Sequence, residues 1–111
     1  MHTFRRGDVW WVTFDASVGG EVRKTRPAVV VGNDAANATL NRVVVVPVTS
    51  KTDRVYPGEA VVTVAGKPGK AMADQIATVD KRRLKNRLDT LSPAHLRAVE
   101  DAVLQHLAIR R

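Results

Sequence analysis

Two polar side chains stand at the ends of runs that otherwise read as buried strand. Arg26 comes immediately before Pro27-Ala28-Val29-Val30-Val31, and Thr49 closes Val43-Val44-Val45-Val46-Pro47-Val48. A proline pushes the backbone of the residue before it out of the helical region, so Arg26 is held extended at a strand mouth. Its guanidinium is a planar fork that matches two phosphate oxygens and stays charged at any relevant pH. Thr49 sits where a hydroxyl can bind a phosphate oxygen or close a turn. Glu21, in the loop before Arg26, supplies a carboxylate. Residue type alone also fits a surface arginine beside a turn, paired with Glu21.

Other chemistries lack their residues. There is no HExxH, no CxxC and no tight DxD cluster, so neither a metal nor a cofactor is expected. The nearest approach to a phosphate-cradling glycine loop, AGKPGKAM, lacks the spacing and the Ser/Thr of GxxxxGK[ST]. His95 and His106, on one expected helix, have α-carbons about 16 Å apart, too far to share one scissile bond. What remains is a metal-free scheme using Arg, Glu, Thr and backbone groups. RNA permits it, because each ribose carries its own 2′-hydroxyl nucleophile. The protein need only align that oxygen, move its proton and neutralise the charge that develops.

The chain must fold so as to bring these residues together. Its 111 residues suit one domain, 1–111, with a single modest core. Hydrophobic residues make up 44% and charged residues 26%, which argues against general disorder. No apolar run is long enough for a membrane helix, the N-terminus MHTFRRGD has no signal-like apolar stretch, and cysteine is absent. A cytoplasmic protein is the expectation. The net charge of +7, from 18 Lys and Arg against 11 Asp and Glu, favours a polyanionic partner.

The first two-thirds reads as strands: VWWVTF, PAVVV, RVVVVPVT and EAVVTV, with AMADQIATV as a further strand. DAANATLN and AGKPGK read as loop and turn material, and DKRRLKNRL as a basic transitional piece with a solvated face. Pro47 cannot donate a ladder bond, so its strand should meet an edge or irregularity there. Ser92-Pro93 opens a helix carrying an apolar stripe of Leu96, Val99, Val103 and Leu107, broadened by Leu104 and Ile109. Trp10 and Trp11, as strand neighbours, point to opposite faces and cannot form one stacking platform. Five or so antiparallel strands and one C-terminal α-helix predict a mainly β fold, a small curved barrel with a helix packed on it.

RRGDVWWVTFD, E-x4-RPAVVVGND, VVVVPVTS, YPGEAVV and ADQIATVD, in that order, resemble the MazF/PemK family of toxin endoribonucleases over nearly the whole chain. The resemblance implies an SH3-like antiparallel β-barrel, a homodimer and metal-independent cleavage of single-stranded RNA at short sequences. It further implies a cognate antitoxin whose acidic, disordered tail occupies the RNA groove. Carried over by position, Arg26 is the electrophile and a proton donor, and Thr49 binds the scissile phosphate. Glu21 is a general base or a base-reading acceptor. Asp74 and Gln75 match an acidic-Gln pair that faces RNA bases, and Ser50 and Lys51 follow Thr49 on the RNA-binding side. Apart from the resemblance, Tyr56, in a loop beside Pro57, is a candidate for base contact.

The loop departs from the family pattern Gly-Ser-Glu-Gln-Gly-Gly, reading Gly19-Gly20-Glu21-Val22-Arg23-Lys24 here. Gly20 stays with the RNA-binding set, while Arg23 and Lys24 make the loop stiffer and more cationic. Contacts from these two to phosphate would each add about 0.7 to the slope of log affinity against log salt. Two other classes keep the charge and the fold: a gyrase-poison toxin and a noncatalytic RNA-binding barrel. The first relies on a C-terminal Trp-Gly-Ile, where this chain ends His106-Leu107-Ala108-Ile109-Arg110-Arg111. The second gives Glu21, Arg26 and Thr49 no reason to converge.

Overall fold

The computed structural model of the chain describes residues 2–14 and 24–110. The β-branched runs form strands β1 (Asp8–Phe14), β2 (Lys24–Val30), β3 (Arg42–Thr49), β4 (Glu59–Val64), β5 (Lys67–Met72), β6 (Ala77–Asp80) and β7 (Leu84–Thr90). Helix α1 (Asp34–Thr39) joins β2 to β3, and helix α2 (Pro93–His106) follows β7. The strand order is β4-β5-β3-β2-β1-β7, with β6 also on β3, and every pairing is antiparallel. β3 makes the curvature. Its first part pairs with β2 and β6, and Val48 and Thr49 then pair with Ala71 and Lys70 of β5. The sheet's ends are drawn together where Ala65 N–H, in the β4–β5 turn, donates to Asp89 Oδ2 of β7 at 2.7 Å.

The valine-rich strands are buried on both faces. Val9, Val29, Val46, Val48 and Val62 pack in one cluster with Leu91, Val99 and Ala102. Val12, Ala28, Val30, Val43 and Val45 face the other way, against Phe4, Trp10 and Leu84. The two tryptophans diverge as the pleat requires: Trp10 is 4% exposed and Trp11 is 36% exposed. At the start of α2, Ser92 Oγ accepts from His95 N–H at 3.1 Å and Pro93 gives up no bond. Val99 and Ala102 are buried and Leu96 and Val103 pack beside them, while Leu107 and Ile109 overhang the sheet and are exposed.

Several segments differ from the sequence expectation, and local chemistry explains each. DAANATLN is mostly helix, because Asn33 Oδ1 caps it by accepting from Ala36 N–H at 2.8 Å and alanines propagate it. AGKPGK is turn only in its first two residues and strand in the other four. Ala65 and Gly66, with φ of 50° and 77°, make a two-residue hairpin, and β5 begins at Lys67. AMADQIATV is interrupted by a 3-10 turn at Ala73–Gln75, and DKRRLKNRL is a 3-10 turn at Lys81–Arg83 followed by β7. The described residues thus hold seven strands and two α-helices, within the mainly β architecture that the sequence predicts.

Candidate active site

A proline opens the site. The β2–β3 ladder runs Val30–Val45, Val29–Val46, Ala28–Pro47 and stops. Pro27, the next residue along β2, has no N–H to donate the following rung to Val48, whereas the Pro47 nitrogen faces the other edge of β3, where pairing passes from β6 to β5. Beyond the last rung lies a recess of about 470 Å³. Arg26 and Thr49, each two residues past that rung, both line it, with Ser50 and Lys51 continuing the rim. Trp11, Leu88 and Val64 give it an apolar wall, and Lys67, Pro68 and Gly69 enter from β5.

Gly69 is required by close approach. A Cβ there would stand 2.9 Å from Val48 Cγ1 and 3.2 Å from the Thr49 carbonyl oxygen. The glycine lets β5 lie against β3 where Thr49 is presented. The Thr49 hydroxyl accepts from Lys51 N–H at 3.3 Å, so it closes the turn as well as facing the recess. Closing the turn does not take Thr49 away from the recess.

The electrostatics favour an anion. Arg26, Lys51 and Lys67 line the recess, and among the described residues no Asp or Glu does. Arg26 is half-buried, and the ion pairs among the described residues, Arg6–Glu100, Lys70–Glu59 and Arg82–Asp80, do not involve it. At the rim, Asp89 holds the hairpin that supplies Ala65. The Ala65 N–H and then the Thr90 N–H keep its carboxyl below the usual range. No group of three or more His, Asp and Glu lies close enough among the described residues to hold a metal ion.

The remaining candidates lie elsewhere. Lys24 is exposed, opposite Phe14 at the start of β2, and does not line the recess. Tyr56 is 53% exposed in the β3–β4 loop, also outside the lining. Its ring covers Lys70 Nζ at 5.5 Å and its hydroxyl accepts from Arg54 at 3.3 Å. Lys70, 8% exposed, anchors the loop by donating to the Arg54 carbonyl at 2.6 Å and pairing with Glu59 at 3.1 Å. The Tyr56 N–H, then Lys70, hold the Glu59 carboxyl below its ordinary range. Asp74 and Gln75 are exposed past the far end of β5, roughly 16 Å of strand away from Lys67. Gly20, Glu21 and Arg23 lie outside the described residues.

Sequence reasoning missed Trp11, Leu88 and the β5 contribution of Lys67, Pro68 and Gly69. For β5 a signal existed: EAVVTV, two turn-forming residues and KPGKAM have hairpin spacing. For Trp11 the pleat argument required one tryptophan to face away from the other, without saying onto what.

The profile of the PemK-like, MazF-like toxins of type II toxin–antitoxin systems matches residues 5–107. Endoribonuclease MazF9 of Mycobacterium tuberculosis is 40% identical, over 93% of this chain and 95% of its own length. A solved endoribonuclease from a mycobacterial species superposes with a TM-score of 0.83 at 25% identity, covering 100% of this chain and 97% of that one. A mycobacterial endoribonuclease solved in complex with its cognate antitoxin gives 0.79 at 26% identity, over 96% and 97%.

Proposed function

This chain belongs to the PemK-like, MazF-like toxin family and is a toxin endoribonuclease of a toxin–antitoxin system, and on that footing we propose how it cuts. The substrate is single-stranded RNA, cleaved at a short sequence without a metal or cofactor. The ribose 2′-oxygen attacks the adjacent phosphorus, the bond to the 5′-oxygen breaks, and the products are a 2′,3′-cyclic phosphate and a 5′-hydroxyl. One proton leaves the 2′-hydroxyl and one reaches the departing 5′-oxygen. Arg26 binds the non-bridging oxygens as negative charge builds on them. A preorganised donor of this kind contributes about 2.7–4 kcal/mol to the barrier, a factor of hundreds or more. The Thr49 hydroxyl holds the phosphate from the other side of the recess. Glu21, in the loop that leads into Arg26, supplies the carboxylate of the site.

One observation carries this reading: Arg26 and Thr49, far apart in sequence, line one cationic recess beyond the end of a ladder. Ser50 and Lys51 on that rim, with Gly20, Arg23 and Lys24 before Arg26, guide the flanking RNA. Tyr56, Asp74 and Gln75 act as base contacts remote from the cut. The whole chain, 1–111, works as one domain in a cytoplasmic homodimer. A cognate antitoxin with an acidic, disordered tail silences it, a role supported by the solved mycobacterial toxin–antitoxin complex. The test is incubation with a long RNA in excess chelator, followed by mapping of 5′ ends. Discrete cuts with 5′-hydroxyl ends are expected, and RNA left intact would overturn the proposal.

A further inference from the structure

On the opposite face of β1 from the recess lies a second cleft, of about 540 Å³. Its lining includes His2, Arg5, Lys85 and Arg87, grouped around Trp10, with Asp8 as the carboxylate. Asp8 is already engaged, accepting from the Arg5 backbone N–H at 3.2 Å and from the Thr90 hydroxyl at 3.0 Å. Arg87 donates to that same hydroxyl at 3.2 Å, so a chain from Arg87 through Thr90 to Asp8 fixes its guanidinium beside the cleft.

Trp10 provides the second observation. Its side chain is almost wholly buried, yet its indole Nε1–H has no hydrogen-bond partner. Leaving a buried donor unsatisfied forfeits its hydration with nothing in return. Indole nitrogen donates and cannot accept, so what completes it is an acceptor. With basic side chains around it, that acceptor is an oxyanion.

We propose that this cleft is a second phosphate site, holding an RNA phosphodiester outside the one being cut. The proposal rests on the reading of the chain as an RNA-cutting enzyme. The path between the two sites is short. β7 is the end strand of the sheet order, Leu88 lines the catalytic recess and the adjacent Arg87 lines the cleft. RNA leaving the recess reaches the cleft by turning around the β7 edge.

The experiment follows the two indole N–H resonances of the nitrogen-15-labelled full chain, told apart by Trp11→Phe. Inorganic phosphate and a short 2′-O-methyl oligonucleotide of mixed sequence, which cannot be cut, are added separately. Both should move the Trp10 resonance downfield to saturation. The double variant Lys85→Ala/Arg87→Ala should abolish that shift with the rest of the spectrum preserved. It should also lower the salt slope of oligonucleotide binding by about 1.4, for two lost phosphate contacts. Arg26→Ala should leave the Trp10 response intact. A shift with phosphate but none with the oligonucleotide would overturn the RNA assignment, and a silent indole with both would overturn the site. Cleavage is scored independently, so loss of the catalytic reading and loss of this one give different results.

Discussion

Gly69→Ala adds one methyl group at the point where β5 touches β3. That Cβ would meet Val48 Cγ1 at 2.9 Å and the Thr49 carbonyl oxygen at 3.2 Å. Neither neighbour yields easily. Val48 is a buried, β-branched side chain with a stiff χ1, and the other contact is backbone. Overpacking of this kind costs about 1–3 kcal/mol, while replacing glycine in a strand returns about 0.5–1 kcal/mol of chain entropy. The expected net loss is about 1–2 kcal/mol, a drop of roughly 1 M or less in the urea midpoint with an unchanged slope. The larger effect should fall on chemistry. β3 must shift by a few tenths of an ångström at Thr49, and misplacement by about 1 Å can cost a hundredfold in rate. Single-turnover cleavage should therefore fall about tenfold or more while RNA affinity holds. Adding Val48→Ala removes one of the two collisions and should recover part of the rate despite its own cost in stability. Wild-type stability and rate in Gly69→Ala would refute the close-approach argument.

Arg26→Ala should lower single-turnover cleavage by 10²–10³ with an unchanged circular dichroism melt. Arg26→Lys should recover little, because a point charge replaces the fork. Glu21→Gln read as a pH–rate profile separates its two roles: loss of the acid limb marks the proton acceptor, and an intact limb with altered cut sites marks a base reader. Lys70→Met should destabilise by about 3 kcal/mol, since it strands Glu59 in a poorly hydrated place; Lys70→Met/Glu59→Gln should cost less than the two singles summed, measured by urea denaturation. The folded-state values of Glu59 and Asp89 are depressed, so the stability they confer is present above the ordinary carboxylate range. That stability should fall as pH drops below about 4.5. Urea midpoints across the acid range should drop less steeply in Asp89→Asn.

How much of this was legible in the sequence depended on whether the signal was local. Ser92-Pro93 and the spacing of Val99 and Val103 announce α2, because capping and helical period act within a few residues. The valine run of β3 announces burial on both faces, which the two clusters bear out. Asn33 escaped notice as a cap because a six-residue helix has too little period to register. Ala65 reads as turn material with the rest of AGKPGK, but its φ of 50° is not legible, because alanine seldom adopts that conformation; the register of β4 on β5 and the Asp89 bond impose it. At the site, Arg26 and Thr49 are visible because each stands beside a proline-marked strand. Gly69 is not, since its role lies in a distance to another strand. Tyr56, Asp74 and Gln75 carry sequence signals that do not encode their distance from the recess.

Antiparallel ribbons tend to zip until something halts them. Here the halt is covalent: the imide nitrogen of Pro27 stands where β2 would donate its next rung to β3, and it has no proton to give whatever side chains surround it. The vacancy between β2 and β3 therefore does not depend on who stands on its shores. Residues such as Lys51, Lys67 or Leu88 can be exchanged, and preference for the bound molecule retuned, without the gap healing shut.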